Sequence, residues 1–174
     1  ASSVSPDHQV AVDPAEANRI EIVRGPATLI YGGSAIGGVV NILDGRIPEA
    51  LPEGGIDGAM SAQTSGVDDG TSYSGNATVA LGQFALHFDA VSKEADDYEI
   101  PSSPISQRFA DAEGVEREDP GVVPNSFSEL EAWGVGGSYI GDKGFVGLSF
   151  KETESTYGVV AEDGVFIDLQ QERL

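Results

Sequence analysis

The 174-residue chain contains no cysteine, which excludes disulfide scaffolds, thiolate metal sites and cysteine nucleophiles. Basic residues are scarce: nine Lys and Arg stand against 29 Asp and Glu, a formal net charge of −20. Such a balance cannot neutralise a row of phosphates, so a nucleic-acid partner is excluded. Histidine occurs only twice, and neither copy sits in a motif that would activate one of the many serines. The sequence is therefore read as that of a non-enzyme with no cofactor. No apolar run approaches the roughly 18 residues that a spanning helix needs. Ala1-Ser2-Ser3 opens the chain without Met or a basic-then-apolar leader, and Leu174 falls inside what reads as a strand. A piece of a longer protein is expected.

What is present favours strands. Hydrophobic residues make up 40 %, too many for a disordered tail, and 23 Gly accompany seven Phe, five Tyr and one Trp. Residues 1–53 have one texture. Arg19-Ile20-Glu21-Ile22-Val23-Arg24 alternates charged and apolar residues as a strand does, and Gly25-Pro26 ends it. Ala27–Tyr31 is expected to make a helical turn, the glycines of 32–38 a tight turn, and Val39–Leu43 a short buried strand.

Residues 54–174 have another. Six stretches alternate faces with period two, their apolar members being Ile56 and Met60; Tyr73, Val79 and Leu81; Phe84, Leu86 and Phe88; Trp133, Val135 and Tyr139; Val146, Leu148 and Phe150; and Val165, Ile167 and Leu169. The links at Gly82-Gln83 and Gly141–Gly144 are tight, whereas those near 66–71, 94–129 and 157–163 are long. Short and long links alternate strictly, so all tight turns fall on one edge, as in transmembrane barrels with short periplasmic turns and long external loops. The faces opposite the apolar ones are rich in Gly, Ser, Ala, Asn and Thr and suit a wet lumen. The alternative is a soluble acidic β-sandwich acting as a binding or adhesion module, which the charge and the mean hydropathy of −0.12 support.

The run from Asn18 to Leu43, with Arg19-Ile20-Glu21, Arg24-Gly25-Pro26, Tyr31-Gly32 and Ala35-Ile36-Gly37-Gly38-Val39-Val40-Asn41 as its fixed points, resembles the C-terminal part of the plug domain of TonB-dependent outer-membrane receptors. Ala85–Asp89, Asp97–Pro101, Gly144–Ser149, Ser155–Gly158 and Ile167–Gln170 look like the zinc-uptake branch of that family. The resemblance implies a mainly β chain. Residues 1–53 would be the C-terminal part of a plug, and 54–174 the first strands, about six and antiparallel, of a transmembrane β-barrel. A long external loop would lie near 94–129, and the whole would be a fragment of a 22-stranded barrel. It further implies a place in the bacterial outer membrane among its lipids, import of a metal ion or metal chelate by energised plug displacement, and a TonB energy-coupling protein as partner. Zinc would be cargo, not a resident cofactor.

Candidate site residues follow. Ser5-Pro6-Asp7-His8 resembles the plug segment that gives the metal a carboxylate and an imidazole in the zinc branch, making Asp7 and His8 the metal candidates; the plain reading is a polar loop whose Asp caps a turn. The His-rich loop that often follows the Tyr-Gly pair in that branch has no counterpart after Tyr157-Gly158. His87 and Asp89 share the lumen face, where they meet passing cargo or hydrogen-bond plug side chains. Arg19, Glu21 and Arg24 are expected to form the plug's polar surface against a wall lined by Asp57, Asp89 and Asp168. The acidic runs at Asp68-Asp69, Glu94–Asp97, Asp111–Glu113 and Glu116–Asp119 either gather cations at long range or keep the loops solvated.

Detergent dependence separates barrel from sandwich. The isolated chain is expected to aggregate in plain buffer and to disperse in detergent, as read by light scattering; a stable monomer in buffer would mean that the apolar faces pack on each other.

Overall fold

In the computed structural model, residues 14–26, 31–32, 37–117, 121–160 and 164–174 are described. Asp7 and His8 lie outside the described residues, as do residues 27–30 of the expected helical turn at 27–31 and residues 33–36 of the expected tight turn at 32–38.

Strands β1 (Arg19–Arg24) and β2 (Gly38–Leu43) form an antiparallel ladder in which Arg19 faces Leu43 and Arg24 faces Gly38. A single turn of 3-10 helix, Pro14–Glu16, precedes it, and the connection that follows leads into a second sheet. That sheet has six strands: β3 (Ile56–Thr64), β4 (Thr71–Leu81), β5 (Phe84–Ala95), β8 (Ser128–Gly141), β9 (Gly144–Gly158) and β10 (Phe166–Arg173). All pair antiparallel with their sequence neighbours in the sheet, so the expected six-stranded meander is present. The tight turns between β4 and β5 and between β8 and β9 share one edge, and the long links share the other. Among the described residues this sheet has no second apolar layer over its outer face.

That outer face is apolar and bare. Phe84, Leu86 and Phe88 are about half exposed, and Val146, Leu148 and Met60 are 70 %, 73 % and 93 % exposed. The buried positions are small or polar instead: Arg46, His87, Asp89, Ser138, Thr153 and Ser155, together with Ala85, Val91 and Ala132, and none is a large apolar side chain of the kind that fills a soluble core. A soluble sheet has the opposite arrangement, because exposing hydrocarbon to water costs about 25 cal/mol per Å². The inversion is stable only where the solvent outside is itself apolar. Two aromatic pairs bound the band, as girdles do at bilayer interfaces: Phe84 with Tyr139 near the tight turns (centroids 5.4 Å apart) and Trp133 with Phe150 towards the long links (5.5 Å).

Strands β8 and β9, at 14 and 15 residues, outrun the roughly 9–11 residues that cross a bilayer. Above the band their outer face turns acidic, with Glu94 opposite Glu129, Glu131 opposite Glu154 and Glu152 opposite Glu172. The eight residues of β10 pair with residues 151–158 of β9, which lie in this upper zone. Its register corrects one expectation. Ile167 and Leu169 share the inward face with Tyr157 and Ser155, and Asp168 points outward and is exposed. No lipid contact demands apolar residues on the outside at that height.

The link between β5 and β8 is built rather than loose. It contains the two-residue strands β6 (Glu99–Ile100) and β7 (Gly121–Val122), which pair, and helix α1 (Gln107–Glu113). The Asp97 carboxylate accepts from the backbone N–H groups of Asn125, Ser126 and Phe127 at 2.6–3.0 Å. Asn125, in the left-handed region with φ of 60°, donates through Nδ2 to the carbonyls of Val159 and Val165 and so ties the link to its neighbour. At least one acidic loop residue is thus a structural acceptor.

Leu148→Arg, at an outward position, is expected to destabilise the intact protein refolded in lipid vesicles by about 2–4 kcal/mol in denaturant titrations. Ser61→Arg, on the inward face of β3, should cost less than about 1 kcal/mol.

Candidate functional site: the seam between connection and wall

The connection after β2 reads Asp44-Gly45-Arg46-Ile47-Pro48, and it lies flat on the inward face of β8 and β9. Local chemistry shapes it first. The Asp44 carboxylate accepts from the Arg46 backbone N–H at 3.2 Å, an Asx turn, and Gly45 takes a φ of 72°. The wall then makes room. A Cβ added at Gly136 would lie 1.8 Å from the Arg46 carbonyl oxygen, one at Gly134 would lie 2.3 Å from Arg46 Nε, and one at Gly147 would lie 2.6 Å from the Ile47 side chain. These glycines are therefore a cradle for a second backbone, not merely the lining of a wet lumen. Ser138 donates its hydroxyl to the Pro48 carbonyl at 2.5 Å and pins the far end.

Arg46 is the centre of the seam, only 3 % exposed. Its guanidinium grips Asp89 of β5 with both ends of its fork, Nε to Oδ1 at 2.7 Å and Nη2 to Oδ2 at 2.9 Å. It also pairs with Asp44 through Nη1 and reaches Glu16 of the 3-10 turn through Nη2 at 2.9 Å. Glu16 in turn accepts from Lys151 of β9 at 2.7 Å. Burial alone pulls the guanidinium pKa down. The hydrogen bond to Asp89 and the carboxylates of Asp89, Asp44 and Glu16 outweigh it, so the pKa is raised and Arg46 is a permanent cation. The bidentate geometry is one that Lys cannot reproduce.

Beside this cluster is a polar cavity of about 200 Å³, lined among others by Glu16, Asp44, Asp57, Thr78, His87 and Asp89. His87 Nδ1 stands 2.8 Å from Thr78 Oγ1. Its Nε2 has no hydrogen-bond partner among the described residues and lies 3.4 Å from Asp89 Oδ1.

His87 and Asp89 are thus together on the inward face, as expected, and Asp57 lines the same cavity. The plug-side partners differ from expectation. Arg19 pairs with Glu21 at 3.0 Å, and Glu21 accepts from Asn41 at 3.1 Å. Arg24, with the parity of Ile20 and Ile22, falls on the other face of β1. The ion pairs to the wall come from Glu16 and Arg46, which the sequence did not single out. The available signal was Gly134-Val135-Gly136, two glycines on one face of a strand, which marks a close approach by another backbone.

Comparison with known proteins fits this arrangement. Residues 3–39 match the family model of the TonB-dependent receptor plug domain. The ferric enterobactin receptor PirA of Pseudomonas aeruginosa is 34 % identical over 140 residues, 70 % of this chain and 18 % of that protein. The probable TonB-dependent siderophore receptor PirA of Acinetobacter baumannii is 34 % identical over 116 residues, 61 % of this chain and 15 % of that protein. A hemin receptor of Yersinia pestis is 66 % identical over 29 residues, 17 % of this chain and 4 % of that protein. The chain spans 18 % and 15 % of the length of the first two relatives. These likenesses support a TonB-dependent receptor, with plug-domain sequence ahead of barrel-type strands, and they place the chain in the bacterial outer membrane.

Asp89→Ala should destabilise the intact protein by about 1–3 kcal/mol, because Arg46 Nε is left buried without an acceptor while Asp44 and Glu16 remain as counter-charges. Adding Arg46→Met should recover much of that loss, and a double-mutant cycle in denaturant measures the coupling.

Proposed function

We propose that this chain is a segment of a TonB-dependent outer-membrane receptor that imports a metal chelate, a ferric siderophore or heme, by energised displacement of its plug. The boundary between plug and barrel is placed at residues 53 and 54. The tight turns face the periplasm, and the long links face outward, where cargo is first caught. A TonB protein supplies the pull. The names of the relatives, receptors for ferric enterobactin, a siderophore and hemin, favour chelates over a free ion.

The observation that carries the reading is the ionic seam. Arg46 keeps two carboxylates, Asp89 and Asp44, whether or not Glu16 is present. Glu16 is the releasable partner, bound to Arg46 and Lys151. When the plug is pulled, the departing carboxylate regains water and the buried Arg46 keeps Asp89 and Asp44 as counter-charges. An apolar interface of the same size would instead expose hydrocarbon to the lumen. The glycine cradle fixes the connection, so that the pull acts on the plug and not on the wall.

A free zinc ion is the second reading, favoured by the oxygen and nitrogen donors of Asp7-His8. Calorimetry on the full-length receptor in detergent separates the two. Ferric enterobactin or hemin is expected to bind at one site with equal affinity in the wild type and in Asp7→Ala plus His8→Ala, and zinc is expected not to bind stoichiometrically. A zinc site lost in the double variant, with no chelate binding, would reverse the assignment.

A further inference from the structure

We infer that His87 is a proton-sensitive positioning residue that sets how firmly Glu16, and with it the plug, is held against the barrel wall. The inference deepens the reading of Glu16 as the releasable partner and rests on it.

His87 is 8 % exposed, yet it occupies a position where both protonation states are accommodated. When the imidazole is neutral with its proton on Nε2, the Thr78 hydroxyl donates to Nδ1. When it is charged, Nδ1–H donates to the same oxygen, since a hydroxyl serves as donor or acceptor by rotation. Nε2 lies in either case 3.4 Å from Asp89 Oδ1, an electrostatic approach without a hydrogen bond. Protonation thus changes the charge while the contact with Thr78 is kept.

The charges around the cavity give the direction. The surface that receives Glu16 carries Asp57 from β3, Asp89 from β5, Lys151 from β9, and Asp44 and Arg46 from the connection; the inward positions of β8 nearest them are Gly134 and Gly136. Three carboxylates against two cations leave that surface at −1 with a neutral His87 and at zero with a charged one. Glu16 lines the same cavity, so its carboxylate meets less repulsion when His87 is protonated. The extra hold is present at acidic pH and is lost as the imidazole gives up its proton. Histidine is the side chain suited to this between about pH 5 and 8.

Hydrogen exchange in the full-length receptor tests it, read at the amides of Ala17 and Asn18, which bond to the carbonyls of Pro14 and Leu43 beside Glu16. After correction for intrinsic exchange, protection in the wild type is expected to be about threefold to tenfold higher at the acid end, an effect of up to roughly one pKa unit of coupling. His87→Gln should flatten the profile. A flat wild-type profile or a step surviving in His87→Gln would overturn the inference. Glu16→Gln tests the underlying reading separately: protection unchanged by it at every pH would mean that Glu16 does not hold the plug, whatever His87 does.

Discussion

The fork of Arg46 around Asp89 is the constraint on which the rest of the seam depends. A buried guanidinium is tolerable only with carboxylates at its edges, and here Asp89 and Asp44 supply them, with Glu16 as a third. To reach Asp89 the connection must lie against the wall, and to lie there it needs glycine at 134, 136 and 147. To receive the fork, Asp89 must point inward, which fixes the register of β5 and with it the outward placement of Phe84, Leu86 and Phe88. One ion pair thus ties the turn before β1, the connection and strands β5, β8 and β9 into one arrangement.

The sheet carries its polarity reversed, and the height at which the reversal stops is legible in the strands themselves. Between the two aromatic pairs the outer face is hydrocarbon. Above it, glutamates oppose glutamates across three strand pairs, an arrangement that costs free energy at close range and is tolerated where water screens it. The net charge of −20 is therefore concentrated partly above the apolar band and in the links, where Asp97 also serves as an acceptor for three backbone amides. A strongly acidic composition and a lipid-facing surface coexist because they occupy different heights on the same strands.

Much of this was legible in the residues. Period-two alternation in the six stretches of residues 56–170 set the strands, and the alternation of tight and long links set their order. The inward placement of His87 and Asp89 followed from the apolar neighbours between them. Asp168 was misread because alternation alone does not say which face looks outward above the bilayer, where Ile167 and Leu169 turn in. Arg46 was missed because its partners across the seam, Glu16 and Asp89, lie 30 and 43 residues away in sequence, separations at which no local pattern operates.

The sequence by itself determined the six strands of the large sheet, their meander, the apolar and polar faces of the first five and the plug-like run, since each is a property of neighbouring residues and of the two-residue period of a strand. Only the tertiary structure decided that Glu16, Asp44, Arg46, Asp89 and Lys151 form one cluster and that the glycines of β8 and β9 exist to admit it. The reason is physical. A charge finds its counter-charge through space, and the chain separations involved are set by how the connection folds back on the wall, not by any repeat along it.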